Sequence, residues 1–370
     1  MKIKVIEVSS DTNIGGAGKC LLTLLENFNY DKFDVKVVLP YNSLLKPHID
    51  KMGIKVIEVD GIADKSLDKG AIKALKGIFK REKPDIVHTH ASMSARIAAR
   101  FAGAKVVYTR HSVFPPSKRI SKGLGKCING MINNYFADSI IAVAEAAKDN
   151  LTDTGIKESK IKVVLNGVEG LSPVSADETR IIKERFDLYE PFRAISIIAR
   201  LEDIKGHEYF IDAADRLLRK GYKLKFYIAG TGSYEKQLKE KVRSLNRQEQ
   251  IIFTGFIHDV QKLMAVTDIQ VNASYGTEAT SLALLEGMSL GIPAVVSDFG
   301  GNPGVIKDGV NGFVVPKQNA KAIADKIEEL LNDESLYREI SENSKKIFKK
   351  TFTASAMTRQ TEEVYYDLIN

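Results

Sequence analysis

Short apolar runs alternate along this chain with longer stretches whose apolar residues recur at helical spacing. In the first half the runs predict strands over residues 2–8, 33–39, 55–59, 85–88, 105–109, 138–143 and 160–165. Helices are predicted between them over 16–28, 44–52, 69–82, 92–101, 126–136 and 144–152. After a Pro-containing linker over 169–175 the rhythm resumes, with strands at 193–198, 223–229, 251–253, 269–272 and 293–296. The intervening helices are placed at 177–186, from about 207, 234–245, 260–265 and 281–290, and three more close the chain at 320–332, 334–349 and 355–369. Strands separated by helices imply parallel sheets covered on both faces, an α/β fold. Ligands of such sheets bind at the carboxyl ends of the strands.

The chain has 370 residues, more than one core usually supports, so two domains are expected. We place them at 1–172, joined by the terminal helix over 353–370, and at 173–352. No apolar run is long enough to span a membrane, and the N-terminus enters directly as a strand without the pattern of a signal peptide. The two cysteines, Cys20 and Cys127, have neither disulfide nor metal spacing and fit a reducing cytoplasm. A net charge of +7 favours anionic partners, and no nucleic-acid module is recognisable.

The loop between the first strand and helix contains Gly15 and Gly16, which let backbone approach a ligand closely; the alternative is a plain tight turn. It is not a P-loop, because Asn13 stands in place of the first glycine and Cys20 in place of the Ser or Thr. The strand-end rule selects His88, His90, Arg110 and His111. For His88 and His90 a hydrogen-bonded structural role is the expectation. Residues 113–136 read as an irregular basic loop leading into a helix, either a bland surface or a face for an anionic acceptor or membrane.

In the second half Arg200 and Lys205 follow a strand and precede a helix, a suitable clamp for a diphosphate if they are not merely exposed cations. Residues 275–302, YGTEATSLALLEGMSLGIPAVVSDFGGN, read as loop, helix, strand and Gly-rich loop. Leu282, Leu285 and Met288 form the apolar stripe of its helix, which ends at Gly291. Glu278 and Glu286 frame the helix N-terminus, a place that favours an anion. Were both on one helix they would stand about 12 Å and about 80° apart, suited to two parts of an elongated ligand. Each taken alone could equally be a solvated helix charge.

Glu278-x7-Glu286, followed by GMSLGIPAVVSDFGGN and by DGVNGFVVP over 308–316, resembles the donor-binding signature of retaining GT-B glycosyltransferases of family 4. The resemblance extends over nearly the whole chain and is stronger in the second half. It implies two Rossmann-like domains facing across a cleft, with the last helix crossing back to the first domain. It implies a donor nucleoside diphosphate sugar, UDP before GDP, and a glycan, lipid-linked or cell-envelope acceptor. Arg200 and Lys205 would hold the diphosphate with backbone N–H groups of Ser281, Leu282, Gly15 and Gly16, the glycine loop reaching across the cleft. Glu286 would bind the ribose, Glu278 the donor sugar, and His111 would lie at the reacting sugar. Arg200, Lys205, Glu278 and His111 are therefore the candidate catalytic residues.

No enzyme nucleophile is expected, since the leaving phosphate can help deprotonate the acceptor. No cofactor is expected either. The chain lacks Asp-x-Asp, so metal-independent transfer is expected, with the cations doing a metal's charge work. The sequence departs from the family at Gly304, where many relatives carry Glu. The rivals are a GT-B-shaped epimerase, a phosphorylase, for which a phosphate or pyridoxal phosphate site is lacking, and a silent nucleotide-sugar-binding subunit. The expected location is cytoplasmic, with peripheral contact at an anionic membrane.

Overall fold

The computed structural model describes residues 2–63, 67–113 and 115–370 and divides the chain into two compact units, 1–168 with 354–370, and 169–353. The first unit holds strands β1 (Ile3–Ser9), β2 (Phe33–Pro40), β3 (Lys55–Val59), β4 (Ile86–His90), β5 (Lys105–Arg110), β6 (Ser139–Ala142) and β7 (Ile161–Val163). They form one sheet in the order β3-β2-β1-β4-β5-β6-β7, and every pairing is parallel. The second unit holds β8 (Arg193–Ile198), β9 (Leu224–Ala229), β10 (Ile251–Gly255), β11 (Ile269–Asn272), β12 (Ala294–Ser297) and β13 (Phe313–Val315). Their order is β10-β9-β8-β11-β12-β13, again parallel throughout. The strand order reverses between β1 and β4 and between β8 and β11, and α/β folds bind ligands at such switch points.

Period-two alternation sorts each strand between two apolar layers. On β1, Ile6 and Val8 join Leu75, Phe79 and Val87 in one layer, while Val5 joins Leu21, Leu25, Phe33 and Tyr365 in the other. The second sheet is covered in the same way: Phe210, Phe226 and Ile327 pack on one face, Ile182, Tyr227 and Leu263 on the other. Helix starts follow local chemistry. Asp68, Ser92, Asn319 and Asp333 each accept an N–H from the first turn of the helix they cap, contributing about 1 kcal/mol apiece.

The terminal helix Ala354–Ile369 belongs to the first unit. Tyr365, fully buried, stacks on Phe28 at 6.2 Å and meets Phe33 edge-on at 5.9 Å. Glu362 accepts the Asn29 N–H at 2.8 Å. Among the described residues, no helix is long and apolar enough to cross a membrane.

Several expectations need correction. Residues 113–136, of which Phe114 lies outside the described residues, are more helical than their prolines and glycines suggest. Helices run over Lys118–Ser121 and Gly123–Tyr135. The glycines serve close packing: a Cβ on Gly125 would lie 1.8 Å from the Arg119 carbonyl, and one on Gly130 2.1 Å from that of Gly155. In helix Leu282–Leu290 the buried stripe contains Leu284, Leu285 and Met288 rather than Leu282. Its cap is Ser281, so Glu278 sits in the preceding loop, and the helical rise and rotation between Glu278 and Glu286 do not apply. The loop after β12 turns into a short helix, Asn302–Val305, with Pro303 in its first turn.

Candidate functional site

In the second unit the chain leaves β8 at Ile198 and passes exposed Arg200 before the 3-10 turn Asp203–Lys205. Gly206, at φ +71°, opens helix His207–Arg219. Lys205 Nζ donates to Glu278 Oε2 at 2.9 Å and to the Thr277 carbonyl at 3.0 Å. The same carboxylate oxygen accepts from Ser274 Oγ at 3.1 Å and from Asn272 Nδ2 at 3.4 Å. The Gly-rich loop closes over this point. Gly301 N–H donates to the Glu278 carbonyl at 3.0 Å. Gly300, at φ +60°, passes so close that a Cβ there would stand 2.0 Å from that oxygen. Asn302 Nδ2 donates to Ser297 Oγ at 3.1 Å and to Asn272 Oδ1 at 3.4 Å, binding the loop to the ends of β11 and β12.

Lys205, Asn272, Ser281 and Leu284 line one small cavity at this end of β8 and β11. Ser281 Oγ accepts the Leu284 N–H at 3.3 Å, which fixes the helix N-terminus beside it. Glu286, half-buried, lies in the second turn of that helix. Of the residues named from the sequence in this unit, Lys205 and Glu278 are thus joined directly, and Lys205 and Ser281 line one cavity.

His207, which the sequence did not flag, is buried beside them, and neither ring nitrogen has a hydrogen-bond partner among the described residues. Burial, reinforced by the Lys205 charge, pushes its pKa down to about 4.

The first unit places its polar residues differently. Glu7 on β1 pairs in register with His88 on β4, and Ser9 with His90. All three ionisable side chains are buried in the layer under the terminal helix. Tyr365 OH donates to Glu7 Oε1 at 2.8 Å. His88 Nδ1 lies 2.6 Å from Tyr365 OH, and its Nε2 lies 2.6 Å from Thr109 Oγ1. His90 Nε2 lies 3.0 Å from Glu7 Oε2, and its Nδ1 lies 2.7 Å from His111 Nε2.

Burial alone would push the Glu7 carboxyl up, but His88 and His90, by charge and hydrogen bonding, hold it below the usual carboxylate range. Burial pushes His88 and His111 down, so both rings are neutral near pH 7. A hydrogen-bonded structural role for His88 and His90 agrees with these contacts. Arg110 turns back on its own unit, donating to the Ser112 carbonyl and to Asn150.

Glu7, His88 and His90 offer atoms within 4.8 Å of one another, the only cluster of this kind among the described residues that could hold a metal ion. Those atoms are already joined by hydrogen bonds, so the arrangement is complete on its own terms. Gly15 and Gly16 are exposed at the start of helix Gly16–Asn27. Gly15 has φ −92°, and a Cβ on either residue meets nothing within 4 Å, so the chain's own conformation does not demand glycine there.

Two family models match this chain. Glycosyltransferase Family 4 covers residues 14–169, and Glycosyl transferases group 1 covers residues 178–347. The chain is a GT-B glycosyltransferase of family 4. It is 26% identical to the Escherichia coli UDP-Gal:alpha-D-GlcNAc-diphosphoundecaprenol alpha-1,3-galactosyltransferase, over 100% of this chain and 98% of that one. Among solved structures, a glycosyltransferase from Rickettsia africae superposes with a TM-score of 0.87 at 22% identity, covering 100% of this chain and 99% of that one. Anabaena Alr3699/HepE, solved in complex with UDP and glucose, gives 0.85 at 21% identity, over 98% and 99%. At those identities the structures show the shared fold.

Glu7 and Tyr365 escaped the sequence reading of this glycosyltransferase. One signal was available for Glu7: it shares the inward face of β1 with Val5, where a carboxylate demands partners. Nothing local signalled Tyr365, which comes from the far end of the chain.

Proposed function

We propose that this glycosyltransferase moves a sugar, with retention of configuration, from a UDP-sugar to a lipid-linked or cell-envelope glycan. The observation that carries this is the contact between Lys205 and Glu278. These two residues are assigned to one donor on the strength of the family resemblance, and they are far apart in sequence yet hydrogen-bonded. Arg200 and Lys205 bind the diphosphate and neutralise the charge that grows on the leaving nucleotide. The backbone at Ser281 and Leu282 adds N–H donors from a helix N-terminus. Glu278 accepts from hydroxyls of the donor sugar, and Glu286 accepts from the ribose. In the first unit Gly15 and Gly16 contact the ligand through backbone, and His111 meets the transferred sugar. The domain over 173–352 is the donor-binding one, and 1–172 with 353–370 the acceptor-binding one.

The donor class draws support from the complex of the Anabaena protein with UDP and glucose, and the acceptor class from the diphosphoundecaprenol-linked substrate in the E. coli relative's name. Helix Gly123–Tyr135 supports peripheral contact with an anionic membrane. Leu124 and Met131 are 76% and 66% exposed, and Ile128 and Tyr135 extend the same apolar row. Exposed Lys118, Arg119 and Lys122 lie beside it. The reaction needs no metal, because the two cations supply the positive charge.

Thermal unfolding with UDP, GDP and ADP and their common sugars, each with and without EDTA, tests the donor reading. Stabilisation by the UDP series, unchanged by EDTA, is the expected result; a ligand at a hundred times its dissociation constant adds about 2.7 kcal/mol. Stabilisation by GDP alone overturns the choice of nucleotide, and dependence on a metal overturns the role given to the cations.

A further inference from the structure

The buried row in the first unit ends at an atom that has no partner. Tyr365, Glu7, His90 and His111 follow one another by the contacts given above, and the rings of His90 and His111 stack at 5.0 Å with 27° between their planes. At the outer end His111 Nδ1 is shielded from solvent and has no hydrogen-bond partner among the described residues. A buried polar atom left unpaired in a native fold calls for an explanation.

The proton positions along the row follow from its inner end. An ionised carboxylate only accepts, so His90 Nε2 carries the proton it gives to Glu7. If that proton is the ring's one N–H, His90 Nδ1 is left bare. The contact at 2.7 Å then needs a proton on His111 Nε2. Burial first, and then the neighbouring His90 and His88, keep His111 neutral, so its Nδ1 has only a lone pair.

We propose that Glu7 and His90 are positioning residues that hold His111 in its Nε2–H tautomer and present bare Nδ1 as an acceptor for a hydroxyl of the bound sugar. This rests on the reading of His111 as a sugar-facing residue. A carboxylate fixing a working imidazole is a familiar arrangement. Here Glu7 lies too deep to reach His111, and His90 passes the orientation on by one ring. His88 and Tyr365 hold the carboxylate from its other side.

Nitrogen-15 spectra of the full chain labelled at histidine, with His111 assigned through His111→Asn, read the proton position near neutral pH. A protonated Nε2 and a bare Nδ1 are expected. A proton on Nδ1, as an imidazolium at His90 would impose, overturns the proposal. His90→Leu should then show mixed tautomers at His111 and a roughly three- to tenfold lower kcat. His90→Gln, whose amide oxygen can accept from Nε2–H, should restore part of both. An unchanged His111 tautomer in His90→Leu also overturns the proposal.

Adding UDP-galactose and, separately, UDP-N-acetylglucosamine separates this from the reading beneath it. A shift of the His111 Nδ1 signal supports the sugar contact. Binding by either compound without any change at His111 overturns that contact, whichever tautomer the first spectrum has shown.

Discussion

Glu7 and Glu278 are both buried carboxylates at the carboxyl side of a parallel sheet, each beside a switch point. Glu278 faces an ammonium, the Lys205 side chain, itself partly exposed, from an adjoining loop. Glu7 faces two imidazoles and a phenol, all fixed on sheet or helix. The difference separates two uses of a buried acid. A charge pair at the mouth of a site can be redistributed when an anionic ligand draws the cation toward itself. A carboxylate among rings fixed on sheet and helix has no mobile counter-charge, and what it controls is the position of protons on those rings.

The largest expected effect tests the mobile side of this contrast. Lys205→Ala removes one diphosphate cation and the partner of Glu278, and kcat/KM for sugar transfer should fall by roughly a hundred- to a thousandfold. Steady-state transfer rates with the UDP-sugar that the protein turns over check this. Full activity in the variant would sink the clamp and leave Lys205–Glu278 as a structural pair, no different in kind from the cluster around Glu7.

The same contrast explains what was legible in the sequence. Glu278, Ser281, Leu282 and Glu286 lie within nine residues of one another, so that site could be read as one ordered string. Arg200 and Lys205 follow a strand closely enough for the strand-end rule to find them. The parallel sheets were legible for a related reason, since both faces are covered and most strand positions are apolar. The cluster around Glu7 draws on residues 7, 88, 90, 109, 111 and 365, which only strand register and the docking of the last helix bring together. Helix Gly123–Tyr135 was read from residue 126 on, and its first turn was obscured because Gly123 and Gly125 resemble loop signals, although Gly125 serves close packing.

Acid sharpens the comparison at the next level of effect. Burial, then the Lys205 charge, takes His207 from 6.5 down to about 4. The unfolded chain therefore takes up this proton first as pH falls. The stabilisation from neutral His207 is whole above about pH 6.5 and is lost between there and about pH 4, for a total of about 3 kcal/mol. His88 and His111 carry the same sign in the first unit, since burial lowers both. Urea unfolding across this range should show falling stability with acid, with a flatter slope in His207→Gln. An equal slope in that variant would assign the loss to the first unit's rings.

The smallest effect lies in the two glycine loops, which impose opposite demands. At Gly300 the chain itself requires glycine, through a positive φ and the nearness of the Glu278 carbonyl. At Gly16, the first residue of its helix, nothing lies within 4 Å of an added Cβ. Gly16→Ala should therefore leave the melting temperature unchanged or raise stability by roughly 0.5–1 kcal/mol, as alanine loses less backbone entropy in a helix. Sugar transfer should nevertheless weaken if a ligand passes over that backbone. A variant of undiminished activity would show that Gly16 is tolerated rather than needed, and the glycine loop would lose its place among the ligand-binding residues. Lost stability would contradict the open space at Gly16 and make the two loops alike.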